Sequence, residues 1–283
     1  MFKKTFAISA VLGLVVWATP AFALPNFSLA QLSTPGTERT LFLPQTADNS
    51  PVVYLGEALD PRSGQFVEGY AIIHYKDQAA KPAVKPPKGQ RNQCYSFLAS
   101  GAKWKTLESW TVNPTSTQSL ESSFVFTNLT ADIVKWEEAA DGVVGNSAGV
   151  NILGDGSVTS EILVADTESP DNINEVYFAN VSSPGAIAVT IVWGIFAGPP
   201  SGRELVEWDM IFDDTDYNWS ASGEAGKMDF ENIATHELGH SVGLADLYES
   251  LCSQETMYGY ADYGEIMKRD LNAGDIAGVD KLY

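Results

Sequence analysis

Two histidines with a glutamate between them, in the order His236-Glu237-x-x-His240, constrain this chain more than any other feature of its sequence. Residues four apart on an α-helix lie one above the other on the same face. If 228–242 is helical, as its pattern reads, both imidazoles face one point and can bind one Zn²⁺. Glu237 is one step round the helix and can reach a water bound to that metal. The pKa of such a water falls towards ~7, so a carboxylate can take its proton at neutral pH. Whatever else the chain folds into, it must carry this helix.

The residues that follow extend the pattern. Gly243 stands three past His240, and Asp246 three past Gly243. A glycine there lets the helix stop and the chain turn sharply, because positive φ costs it little. Asp246 can then swing back to the same metal as third ligand. The chain holds three histidines, and the remaining one, His74, lies far upstream. It reads as a strand residue with no catalytic part. A glutamate on a later segment is the rival third ligand, with Glu249, Glu255 and Glu265 available.

Charge and composition narrow the class. The 283 residues carry 17 Lys plus Arg against 36 Asp plus Glu, a formal charge of −19, which would repel phosphate backbones and argues against nucleic acid as a partner. Apolar residues at 45% and charged residues at 19% are enough for a buried core and exclude a disordered chain. At the N-terminus Lys3 and Lys4 precede an apolar run and then Pro20-Ala21-Phe22-Ala23. That order reads as a secretory signal peptide, 1–23, cleaved after Ala23. The run is shorter than the ~20 residues that span a bilayer, and no later segment is long and apolar enough. The expected protein is exported, without a stable membrane span. Two cysteines, Cys94 and Cys252, are an even count in an oxidising compartment and favour a bridge.

The rest of the chain divides near residue 92. Segments 52–55 and 67–75 read as short strands around the turn signal Asp60-Pro61-Arg62-Ser63-Gly64. From 78 to 93 the sequence is rich in Pro, Lys and Ala, a stiff linker. We therefore expect 24–92 to be a small N-terminal pro-segment dispensable for the chemistry, and 93–283 to be the catalytic part. In that part 104–112, 161–165, 176–180, 186–193 and 205–212 read as strands, and 119–140, 228–242 and 272–282 as helices. The class is α/β or α+β.

The motif resembles that of a known family. His236-Glu237-x-x-His240-x-x-Gly243-x-x-Asp246, followed by Thr256-Met257-Tyr258-Gly259, is similar to the metzincin metalloproteases with their Met-turn, in particular the matrixins. The C-terminal 275–283, the stretch 212–219 and Lys103-Trp104-Lys105 are similar to matrixin segments as well, so the resemblance covers about 94–283. It implies an α+β domain with a twisted, mostly parallel five-stranded sheet, about three helices and a zinc cleft, with Met257 in a tight turn beneath the metal. It also implies a substrate lying extended along 186–193 by β-augmentation.

The sequence departs from the family in places. The third ligand is Asp where animal matrixins usually have His, Gly259 replaces a common Pro, and the histidines of a second structural zinc are absent, so one catalytic Zn²⁺ is expected. No further C-terminal domain is expected after Tyr283. A thiolate of Cys94 on the metal is the rival to the bridge, but Gln90-Arg91-Asn92-Gln93-Cys94-Tyr95 lacks the Pro-Arg-Cys-Gly pattern of the matrixin switch. Asp209, Asp213, Asp214 and Asp216 have two readings, a structural Ca²⁺ site or an acidic solvated surface. The sequence thus points to a secreted, monomeric zinc endopeptidase acting on proteins or peptides, with Glu237 as proton carrier and His236, His240 and Asp246 as ligands. The alternative is a non-catalytic binding or surface protein that retains the fold.

Overall fold

The computed structural model describes residues 39–44, 50–76, 93–115 and 120–283. The leader at 1–23 and nearly all of the linker lie outside these residues. In chain order the elements begin with the strands β1 (Thr40–Leu41), β2 (Val52–Leu59), β3 (Phe66–Lys76) and β4 (Trp110–Val112), and then helix α1 (Ser122–Glu138). Strands β5 (Gly156–Val158), β6 (Asn174–Val181), β7 (Ala186–Ile195), β8 (Glu204–Asp213), β9 (Trp219–Ser220) and β10 (Met228–Asp229) follow. Helix α2 (Phe230–Ser241), strand β11 (Tyr260–Ala261) and helix α3 (Ala273–Leu282) complete the chain.

Nine strands form one mixed sheet, in the order β11-β3-β7-β8-β6-β4-β5, with β2 paired to β3 and β1 to β6. The strands β4, β5, β6 and β8 run parallel and β7 lies antiparallel to β8. Those five match the expected count. The sheet does not stop there, which corrects the five-stranded expectation: β7 is not an edge. Strand β3 pairs antiparallel to it from Glu68↔Gly194 to Tyr75↔Ala186, and β11 pairs parallel to β3. Strands of 52–76 therefore belong to the same sheet as strands of the 93–283 part.

Alternation explains how β3 and β7 sit in the middle. Successive side chains of a strand point to opposite faces. Ile72 on β3 and Ala188 and Val192 on β7 join the core under the helices, with Trp136, Phe212, Phe230 and Leu238. Ala71, Ile73 and Tyr75 with Val189, Ile191 and Trp193 build a second core on the opposite face. A strand buried on both faces needs an almost continuous apolar run, and 186–193 has one. Two sequence expectations move. Only Trp110–Val112 of 104–112 is a strand, and 161–165 is not one; its place is taken by Gly156–Val158.

Helix α2 starts after Asp229, whose carboxylate accepts from Asn232 N (3.1 Å) and is held by Arg269 (2.6 Å). It ends at Gly243, where φ is +105°, as the turn required. Cys94 and Cys252 form a disulfide across 158 residues, which leaves no thiol free for a metal. It ties the start of the 93–283 part to the turn that follows the helix. Among the described residues no helix is long and apolar enough to cross a membrane.

Candidate metal centre

Helix α2 is buried along nearly its whole length, so both imidazoles enter a dry interior rather than solvent. His236 Nδ1 donates to the Thr256 carbonyl at 2.7 Å and His240 Nδ1 to the Leu244 carbonyl at 2.9 Å. A carbonyl can only accept, so each ring carries its proton on Nδ1 and leaves a lone pair on Nε2. Asp246, brought back by the turn at Gly243, sets Oδ1 at 3.1 Å from His236 Nε2 and 3.4 Å from His240 Nε2. Its other oxygen accepts from Tyr248 Oη at 2.7 Å.

Three lone-pair donors thus converge, and all three atoms are buried without a hydrogen-bond partner. Such a set is repulsive unless a cation fills it. Donors bonded at about 2.0–2.2 Å in a tetrahedral zinc shell stand about 3.3 Å apart, so the spacing suits Zn²⁺. The electrostatics agree. Burial pushes Asp246 up, but His240 and His236 outweigh it and hold the carboxyl well below its usual range. His236 is lowered by burial; His240 is buried too, yet Asp246 and Glu237 facing it hold it up. Without a metal, a proton on His240 would take the cation's part.

Glu237 is fully buried beside this set. Burial pushes it up to about 7, while His240 and a 2.6 Å hydrogen bond from Thr190 Oγ1 pull it down. A carboxyl there divides between its two forms at neutral pH, as a group that both takes and returns a proton should. The glutamates considered as rival ligands are occupied elsewhere or lie outside the cluster: Glu255 accepts from Gly274 N, and Glu265 pairs with Lys268.

Beneath α2 lies Met257, 1% exposed. A Cβ on Gly239 would come within 2.1 Å of Met257 Sδ and 2.9 Å of the Trp136 ring, so only glycine fits at this helix position. Asp275 of α3 accepts from Thr256 N (2.7 Å) and Met257 N (3.1 Å), fixing the turn whose carbonyl orients His236. Sequence reasoning missed both supports, and Lys268, whose buried ammonium reaches Glu265 (2.8 Å) and the Tyr260 carbonyl.

His74 is the larger omission. It is a strand residue, as expected, but β3 carries it into the centre: His74 Nδ1 and Glu237 Oε1 share a hydrogen bond at 3.2 Å, and its ring packs 3.9 Å from that of His236. The signal available was the histidine count, one unexplained His in a chain of three. The edge of β7 along which a substrate was expected to lie is paired with β3 in this structure. The four aspartates considered for Ca²⁺ do not assemble. Asp209 and Asp213 are four residues apart on β8, about 13 Å. Asp213 instead accepts from Thr215 N and Asp216 N, and Asp209 lies with Asp166 and Glu207 on the face away from α2.

Comparison with known proteins agrees with the geometry over part of the chain. Residues 196–283 match the family model of the matrixins. No curated protein matches the chain. The matched stretch contains α2, Asp246 and the Met257 turn, so the likeness to the matrixins covers the part of the chain that carries these residues.

Proposed function

We propose that the protein is an exported zinc endopeptidase, with His236, His240 and Asp246 holding one Zn²⁺ and Glu237 moving the proton. The observation that carries this reading is the convergence of three buried, unpartnered lone-pair atoms beside a carboxyl raised to about 7. A Zn²⁺ held there supplies a Lewis acid for a peptide carbonyl and makes a water acidic near neutral pH. Glu237 takes the proton of the attacking water and delivers it to the leaving amine. Thr190 orients Glu237 from the sheet, and the Thr256 and Leu244 carbonyls fix the two ligand tautomers. Matrixin likeness supports a metallopeptidase in general, and the signal-like N-terminus with the disulfide supports export. Zinc analysis and cleavage of casein or a peptide library, each with and without chelator, test the reading. Glu237→Gln should keep the metal and the fold while losing a factor of roughly 10²–10⁴ in cleavage; unchanged cleavage would refute the assignment of Glu237.

One observation favours the second reading, a non-catalytic module. Strand β3 pairs along β7 and His74 engages Glu237, so the β7 edge beside the metal centre is already taken by the chain itself. A chain that binds zinc yet cleaves nothing, whether or not β3 is displaced, would support that reading.

A further inference from the structure

Asp246 is oriented differently from the two histidines it faces. His236 and His240 each give an N–H to a backbone carbonyl, which fixes the ring and leaves Nε2 bare. An ionised carboxylate has no proton to give, so it must be held by a donor, and it offers two oxygens where an imidazole offers one lone pair. Here one oxygen is taken. Tyr248 Oη donates to Asp246 Oδ2 at 2.7 Å, a charge-assisted hydrogen bond, while Oδ1 stays buried without a partner beside the two Nε2 atoms. The backbone puts the tyrosine there. Leu247 N donates to the Met257 carbonyl at 2.8 Å and Gly259 N to the Leu247 carbonyl at 2.9 Å, which ties 246–248 to the Met257 turn. The Tyr248 ring lies against Gly259 and packs on Tyr260 with centroids 5.3 Å apart. A Cβ on Gly259 would meet Tyr248 Cε1 at 2.5 Å and Oη at 3.0 Å. The φ of Gly259 is not positive, so space rather than backbone conformation calls for glycine here. Two positions at which the chain departs from the matrixin pattern, Asp246 and Gly259, thus meet at one tyrosine.

We infer that Tyr248 is the positioning residue of an aspartate-type metal site: its hydroxyl reserves Asp246 Oδ2, so that Oδ1 alone is offered beside His236 and His240, and Gly259 supplies the space its ring needs. This deepens the zinc reading of those three ligands and rests on it. A carboxylate free at both oxygens can close on a cation through both, and so fill the open position that a catalytic zinc keeps for water. Held by Tyr248, it fills one. A neighbour that orients a ligand in this way affects how tightly the metal is held without touching it.

The test uses two variants of the full chain. Tyr248→Phe keeps the ring and removes one oxygen, whereas Gly259→Ala keeps the hydroxyl and pushes the ring aside. Zinc affinity, measured by competition with a chelator, should fall about tenfold or more in Tyr248→Phe, and it should fall in Gly259→Ala as well. The double variant should lose no more than Tyr248→Phe alone, since both changes remove one contact. Loaded with Co²⁺ in place of zinc, Tyr248→Phe should show a weaker visible absorption band than the wild type, because a second carboxylate oxygen raises the coordination number. A tyrosine that merely packs would leave that band unchanged. Circular dichroism and the melting temperature of the metal-free proteins establish that each variant folds, and Tyr248→Phe carries the test alone should Gly259→Ala fail to. Equal zinc affinity, or an unchanged cobalt band, in Tyr248→Phe would overturn the role of Tyr248 and leave the zinc reading standing. A wild type that takes up no zinc would overturn both.

Discussion

Replacing Gly239 by alanine should lower stability even though alanine is the better helix former. On propensity alone the change gains about 1 kcal/mol in a helix interior. Against it stands the new methyl, which would meet Met257 Sδ at 2.1 Å and Trp136 Cζ2 at 2.9 Å. Neither neighbour gives way easily. Met257 is 1% exposed, and Trp136 is fully buried with Nε1 donating to the Thr235 carbonyl at 2.8 Å. Overpacking of a full core costs about 1–3 kcal/mol, so the net expectation is a loss of about 1 kcal/mol, or a few °C in Tm. The assay is thermal and urea unfolding of Gly239→Ala, Met257→Ala and the double variant. Met257→Ala alone leaves a cavity and should cost about 2–5 kcal/mol. In the double variant the new methyl fills part of that cavity, so the two costs should fall short of their sum by about 1 kcal/mol. A Gly239→Ala protein at least as stable as the wild type, or strictly additive costs, would refute the claim that Met257 is wedged against the helix.

Three further outcomes follow from the same structure. Asp246→Ala should lose most zinc affinity, measured by competition with a chelator, whereas Asp246→His should retain the metal; stoichiometric zinc in the alanine variant would remove Asp246 from the site. Replacing Cys94 and Cys252 by serine opens a closure of 158 residues, for which the chain-entropy model gives at most about 5 kcal/mol; an unchanged urea midpoint would show the bridge is idle. Glu207 is pushed up to about 10 by burial and by Asp209 and Asp166. The native state therefore keeps a proton that the unfolded chain has lost, and stability should fall as pH rises between about 4.5 and 10. Glu207→Gln should flatten that fall, followed by the urea midpoint against pH. A wild type whose stability holds or rises over that window would refute it, and stabilisation by added Ca²⁺ in the wild type alone would make the cluster a cation site.

Local rules carried far along this chain. The spacing of His236, His240, Gly243 and Asp246 is a statement about one helix and one turn, and such geometry is written in the residues themselves. The apolar run of 186–193 and the alternation of 205–212 announced strands β7 and β8, and the Pro/Gly signals marked the hairpin of β2 and β3. The even cysteine count in a chain with a signal-like leader pointed to the bridge that joins Cys94 to Cys252. The weaker strands were less legible. Trp104 makes only an isolated bridge to Leu205, because its indole turns inward to donate to the Ser241 carbonyl at 2.7 Å.

Other features are invisible to any local window. Why position 239 is glycine depends on Met257, eighteen residues later, and the upward push on Glu207 comes from its burial and from Asp209, with Asp166 of a distant loop adding to it. His74 lies 163 residues from Glu237, and nothing in the pattern around it names a partner. Periodicity tells which face of a strand is apolar, but it does not tell which strand will lie alongside. That choice is made by register. Once β3 paired with β7, Ile73 had to face Val189 and His74 had to face the helix side with Ala188. The sequence by itself determined a helix that stacks His236 over His240 and a turn at Gly243 that returns Asp246 to them. Only the packed sheet decided that the chain's own β3 lies beside β7, where Ala71, Ile73 and Tyr75 are buried on one face and Ile72 on the other.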